Sequence, residues 1–144
     1  MLSFDFRQAF PSLFREVIEK VLPRFGVPLG FCNVIAALYS NSLAFSSFRA
    51  EGASAALEPL FALLCGIMQG CPLSGTLFAL AIDQFLRDLL AVIQTPGGGI
   101  VRACADDIAL CLAGRVWLVI SYPVFEKLEG FAGCKLGAAK CVLV

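Results

Sequence analysis

Two places in this sequence set carboxylates where their neighbours make them costly. Asp5 stands between Phe4 and Phe6 in a short apolar run, and Asp106 and Asp107 stand side by side between two more apolar runs, residues 100–104 and 108–112. Adjacent carboxylates repel, and each is expensive to take out of water. The chain has no histidine, and no arginine cluster flanks the pair. A divalent cation is the simplest partner, and hard oxygen donors select magnesium or manganese. One strand aspartate and one aspartate pair at a hairpin tip match the layout of two-metal nucleotidyl transfer, in which cations roughly 3.5–4 Å apart clamp the attacking and leaving oxygens. Plainer readings stand beside this one. Aspartate is common in turns, and Asp5 could be an exposed edge residue near the N-terminus.

The absence of histidine also removes Ser-His and Cys-His catalysis, leaving carboxylates, lysine or metal for acid chemistry. The 7 cysteines are scattered without a CxxC pair, which argues against zinc. An odd count without a signal peptide points to reduced thiols and an intracellular protein. Net charge is zero, so strong nucleic-acid binding by this piece alone is not expected; a catalytic core whose basic channel comes from other segments is compatible with it.

The elements that must position the carboxylates follow from periodicity. Residues 1–6 read as a strand. Pro11 and Ser12 open a helix whose apolar stripe is Leu13, Phe14, Val17, Ile18 and Val21, ended by Pro23. A second helix spans about 29–39, closed by Ser40 and Asn41. Residues 45–48 and a partner beyond a Glu51-Gly52 turn form a hairpin. A long helix covers 73–93, with Asp83, Arg87 and Asp88 on its polar face. The runs on either side of Ala105-Asp106-Asp107 make a β-hairpin with acids at its tip. Residues 119–132 are helical around Pro123, and 141–144 form a terminal strand. The expected fold class is α+β, one domain with helices packed on one face of an antiparallel sheet.

The apolar fraction is 59%, above the usual globular range. Charge-free windows at 25–48 and 59–82 are long enough to span a bilayer. Both carry polar and helix-breaking residues, among them Pro28, Gly30, Asn33, Gln69, Gly70 and Pro72, which are costly in lipid. A buried core whose apolar faces meet further segments fits better than a membrane span.

At the motif level the chain resembles reverse transcriptases. FDFRQAFPSL looks like their motif A, GIMQGCPLSGTLFALAIDQFL like motif B, CADDIAL like motif C, and GCKLGAAK like the end of motif D. Four motifs in order, with compatible gaps, make a specific signal, and the flavour is that of non-LTR retrotransposons, with group II intron proteins next. The resemblance implies a polymerase palm domain over 1–144 and RNA-directed DNA polymerase activity. It assigns Asp5 and Asp106 to two magnesium (or manganese) ions, with Asp107 as a supporting carboxylate. The backbone of Phe6 would help cradle the triphosphate. Phe10 would lie under the sugar and clash with a 2′-hydroxyl, unless it is simply a core phenylalanine. Gln69 and Gly70 would line the nucleotide and template pocket. Lys140 would approach the leaving pyrophosphate as a cation or proton donor, unless it is merely solvated.

The sequence departs from the family pattern at several points. Cys104 stands where an aromatic is usual, Gly75 where proline follows the motif B serine, Gly137 where asparagine is usual, and Cys141 where threonine or serine follows the lysine. These bear on efficiency more than on identity, since no metal carboxylate is lost. The implied partners are an RNA template, a DNA primer and dNTP, without a membrane. The family's fingers lie before motif A, and its thumb lies after motif D. This chain begins almost at A and ends at D, so fingers and thumb segments of the same polyprotein are also expected partners. The alternative is a non-catalytic remnant of a truncated retrotransposon enzyme that keeps the palm but does not copy a template.

Overall fold

The computed structural model describes residues 2–48 and 56–143. Strands β1 (Leu2–Phe4), β4 (Gly99–Cys104), β5 (Asp107–Leu112) and β6 (Val142–Leu143) form an antiparallel sheet in the order β4-β5-β1-β6. Strands β2 (Leu43–Phe48) and β3 (Ala56–Ala62) pair separately as an antiparallel two-stranded sheet. The turn expected at Glu51-Gly52 lies outside the described residues.

Burial alternates along the main sheet as a half-covered sheet requires. Phe4, Ile108, Leu110 and Val101 are buried, while Arg102, Asp107 and Cys111 are exposed. The buried face packs on α4 (Ser74–Ile93) and α5 (Val116–Ala132): Phe4 stacks on Phe125 with ring centroids 4.9 Å apart, and Phe85 meets the edges of both Phe6 and Phe125. Helices therefore cover one face of an antiparallel sheet, and the α+β expectation holds. Helix α3 (Leu29–Tyr39) and helix α4 lie where the sequence places them. Among the described residues no helix is long and apolar enough to cross a membrane.

The first helical region differs from its sequence expectation. Pro11 and Ser12 do not open a helix; they end a short one, α1 (Ala9–Ser12). Leu13 and Phe14 are extended, and α2 (Arg15–Val21) begins after them, running into a 3₁₀ turn that contains Pro23. Tertiary hydrogen bonds break the helix. Gly66 N–H donates to Leu13 O at 2.8 Å, and Phe14 N–H donates to Ala132 O at 2.9 Å. A continuous α-helix would spend those same groups internally.

The strap leading into α4 docks on this break. Ile67 N–H donates to Phe10 O at 2.9 Å, and Arg15 reaches Gly66 O at 3.1 Å and Tyr39 O at 2.7 Å while its guanidinium lies 5.3 Å from the Tyr39 ring centroid. Gly66 has φ +85°, and a Cβ there would sit 2.6 Å from Pro11 O. Gly70 has the same φ but faces open space. Conformation and space therefore separate at these two positions. Gly70→Ala is expected to cost about 1 kcal/mol or less in urea unfolding. Gly66→Ala should cost about 2–4 kcal/mol, because backbone must also move. Equal losses would mean that the strap is not docked on Pro11.

Candidate active site

Strand pairing brings the three aspartates to one end of the sheet. Phe4 pairs with Ile108, so carrying the register one residue further sets Asp5 beside Asp107. Cys104 pairs with Asp107 across the hairpin, leaving Ala105-Asp106 as a two-residue turn. Of these two, Ala105 alone has positive φ, +52°. Positive φ is costly for a residue that carries a Cβ, and glycine is the usual choice there. Asp5 and Asp106 are half-buried and Asp107 is exposed.

The segment after Asp5 is clamped by the segment before β6. Gly137 N–H donates to Asp5 O at 2.9 Å and Arg7 N–H to Lys135 O at 2.8 Å, making an antiparallel bridge between Phe6 and Leu136. The Lys140 ammonium lies 3.1 Å from Asp5 Oδ2 and 3.4 Å from Phe6 O. Lys140 is thus neither simply solvated nor unpaired; it reaches the carboxylate end. The side chain of Phe6 is buried in the core, and its carbonyl accepts from Lys140.

Phe10, Gln69 and Gly70 form a second group. Phe10 is half-buried and stacks on Phe78 of α4, with centroids 4.6 Å apart. Its carbonyl holds Ile67, and Gln69 and Gly70 make the exposed turn that follows. The structure ties this group to the carboxylates through the short stretch 5–10. Three residues that matter for this placement carried little signal. Arg15 lies off the apolar stripe expected of the first helix, yet it anchors the strap; burial pushes the phenol of Tyr39 beside it up. Phe78 and Gly66 lay inside the quoted B-like stretch, and only their contacts reveal their work.

Hard carboxylate donors on neighbouring strands fit magnesium or manganese chemically. Among the described residues, however, no three His, Cys, Asp or Glu side chains are gathered closely enough to hold a metal ion. The convergence of Asp5, Asp106 and Asp107 thus holds for the backbone, while the side chains are not drawn into one cluster.

The pattern of the family described as reverse transcriptase (RNA-dependent DNA polymerase) matches residues 1–144. The chain belongs to the reverse transcriptase family. It is 31% identical over 145 residues to the Pol polyprotein of the type-2 retrotransposable element R2DM of Drosophila melanogaster, covering 99% of this chain and 13% of that protein. It is 30% identical over 152 residues to the Pol polyprotein of the type-1 element R2 of Popillia japonica, covering 100% of this chain and 20% of that protein. The chain therefore spans a fifth or less of these relatives. Its fold is similar to that of apo telomerase from Candida tropicalis, truncated from its C-terminal domain, with TM-score 0.69 at 13% identity over 99% of this chain and 30% of that one. Telomerase from Candida albicans, solved with a fragment of telomeric RNA, gives TM-score 0.63 at 12% identity, over 99% and 26% of the two chains. The α+β architecture is that of a polymerase palm.

In this reverse transcriptase fold the strained turn is a measurable feature. Ala105→Gly relieves roughly 1–2 kcal/mol of left-handed strain and adds roughly 0.5–1 kcal/mol of chain entropy to be lost. A net gain of roughly 0.5–1 kcal/mol is expected in thermal unfolding. A loss of stability would mean that the turn does not hold Ala105 at positive φ.

Proposed function

We propose that this chain is the palm core of an RNA-directed DNA polymerase, acting within a longer polypeptide to add deoxynucleotides to a primer 3′-hydroxyl on an RNA template. The observation that supports it best is the β1–β5 pairing, which carries Asp5 to the hairpin holding Asp106 and Asp107. In this reading Asp5 and Asp106 hold two magnesium or manganese ions, and Asp107 supports them. Bound there, the ions would neutralise phosphate charge and favour the deprotonated primer hydroxyl.

The chain's own residues would do the positioning. The Phe6 backbone borders the triphosphate, and Gln69 and Gly70 line the nucleotide and template pocket. Phe10, backed by Phe78, closes the space that a 2′-hydroxyl would need. Lys140 gives positive charge or a proton to the departing pyrophosphate. Catalysis of this kind rests on orientation and fixed charge. With 11 basic and 11 acidic side chains, this core contributes little counterion release, so the grip on template and primer falls to the rest of the polypeptide.

Primer extension tests the reading. An R2-type polyprotein whose corresponding segment is replaced by this chain should extend a DNA primer on RNA with dNTP and magnesium or manganese. The isolated 144-residue chain should not. Asp106→Ala in the chimera should cut the rate about 10²–10³-fold or more. A folded but inactive chimera would favour the non-catalytic remnant instead.

Sugar choice gives a separate check. In the same chimera, Phe10→Ala should lower the preference for dNTP over rNTP by roughly tenfold or more. An unchanged ratio would leave Phe10 as packing for Phe78 alone.

A further inference from the structure

We infer that Lys140 is a latch on the cation site: in the metal-free protein its ammonium occupies the place of a cation at Asp5, and a divalent ion binds there only by displacing it. This rests on the reading of Asp5 and Asp106 as cation ligands and adds how that site is kept and opened.

Three observations converge. First, the ammonium is held by one carboxylate oxygen, Asp5 Oδ2 at 3.1 Å, and one backbone carbonyl, Phe6 O at 3.4 Å. These are the donor types that a hard divalent cation also takes. Second, the neighbouring chain is shaped to let the lysine reach. Gly137 has φ −86°, so its backbone does not demand glycine. A Cβ there would lie 3.3 Å from Asp5 O and 3.3 Å from Lys140 Cδ. The lysine stem packs against the bare Cα of Gly137, and a side chain there would press on it by a few tenths of an ångström. The 3₁₀ turn Ala138–Lys140 is pinned by Lys140 N–H donating to Gly137 O at 2.7 Å, which aims the stem back toward Asp5. Third, the aspartates share one end of the sheet, yet their side chains form no ready ligand cluster among the described residues. A carboxylate already compensated by an ammonium has no reason to turn toward its like-charged neighbours.

The pair is open to solvent, with Lys140 53% exposed and the half-buried Asp5 32% exposed. Ion pairs of this exposure are weak, so the latch yields to a divalent cation. When it yields, the ammonium is released beside the site, free to meet an anionic group. The other pairs, Lys127 with Asp88, Lys135 with Glu129, Arg87 with Asp83 and Lys20 with Glu16, do not involve the three aspartates.

The test measures binding, not turnover, on the 144-residue chain. Manganese affinity is read by electron paramagnetic resonance in the wild type, Lys140→Met, Asp5→Asn and a control, Lys127→Met. Lys140→Met should bind about two- to fivefold tighter, as expected for losing a weak exposed pair. Lys127→Met should match the wild type. Because removing any nearby positive charge helps a cation, displacement needs its own readout. In carbon-13 lysine-labelled protein, the Lys140 Cε–Hε peak, assigned by its loss in Lys140→Met, should move on adding magnesium to the position of unpaired lysines. The Lys127 peak should stay.

A Lys140 peak that does not move while manganese binding remains Asp5-dependent overturns the latch and spares the site. Unchanged affinity in Lys140→Met does the same. Binding that is indifferent to Asp5→Asn, or absent from every variant, overturns the latch together with the cation-site reading.

Discussion

Side chains alternate across a strand, so setting Phe4 opposite Ile108 decides two things at once. It sends Phe4, Ile108 and Leu110 into the helices, and it leaves Asp5 and Asp107 on the opposite face at the strand ends. A slip of one residue would exchange the faces, burying carboxylates against α4 and α5 and exposing the phenylalanines. The stacked Phe4–Phe125 pair and the Phe85 edge contacts stand against that slip. The apolar face thus enforces the placement of the polar one, although the two share no side chain.

The stretch between Asp5 and Phe14 shows how the rest of the site is held. Its course is irregular: bridge, short helix, extended pair, new helix. Such a segment is stable only if its backbone groups find partners elsewhere. Asp5 and Arg7 find them in Gly137 and Lys135, Phe10 and Leu13 in Ile67 and Gly66, and Phe14 in Ala132. Two distant stretches of the chain, 66–67 and 132–137, converge on ten residues. The two groups of site residues are therefore not independent: moving Gly66 or Gly137 would shift the same short segment from opposite ends.

This also explains which features the sequence made legible. Asp5 and the Asp106-Asp107 pair were visible because a carboxylate among apolar residues is costly wherever the chain goes. Helices α3 and α4 were visible because each is one local, mostly apolar run bounded by breakers, Pro28 and Ser40-Asn41 for α3, Pro72 and Pro96 for α4. The break at Leu13 and Phe14 was not, since their residue types suit the helical stripe and only Gly66 and Ala132, far along the chain, pull them out of it. Arg15 was hidden for the same reason: its partners are backbone carbonyls, which no residue type announces. Lys140 was visible through motif resemblance, but its contact with Asp5 depends on a turn geometry that no spacing rule fixes.

The apolar excess belongs to a different part of the molecule from the chemistry. Among the described residues the exposed large apolar side chains fall heavily on α3 (Leu29, Val34), on β2 and β3 (Phe45, Leu57, Phe61) and on α5 (Val119), and none lies in β1 or β5. Patches of this kind carry interaction surface in larger assemblies, and the chain spans a fifth or less of the R2 polyproteins it resembles. Composition therefore speaks about the surfaces of this domain, while the proposed chemistry rests on a few charged side chains at the sheet's end. That division is why hydropathy alone raises a membrane reading that the carboxylates and their placement do not share.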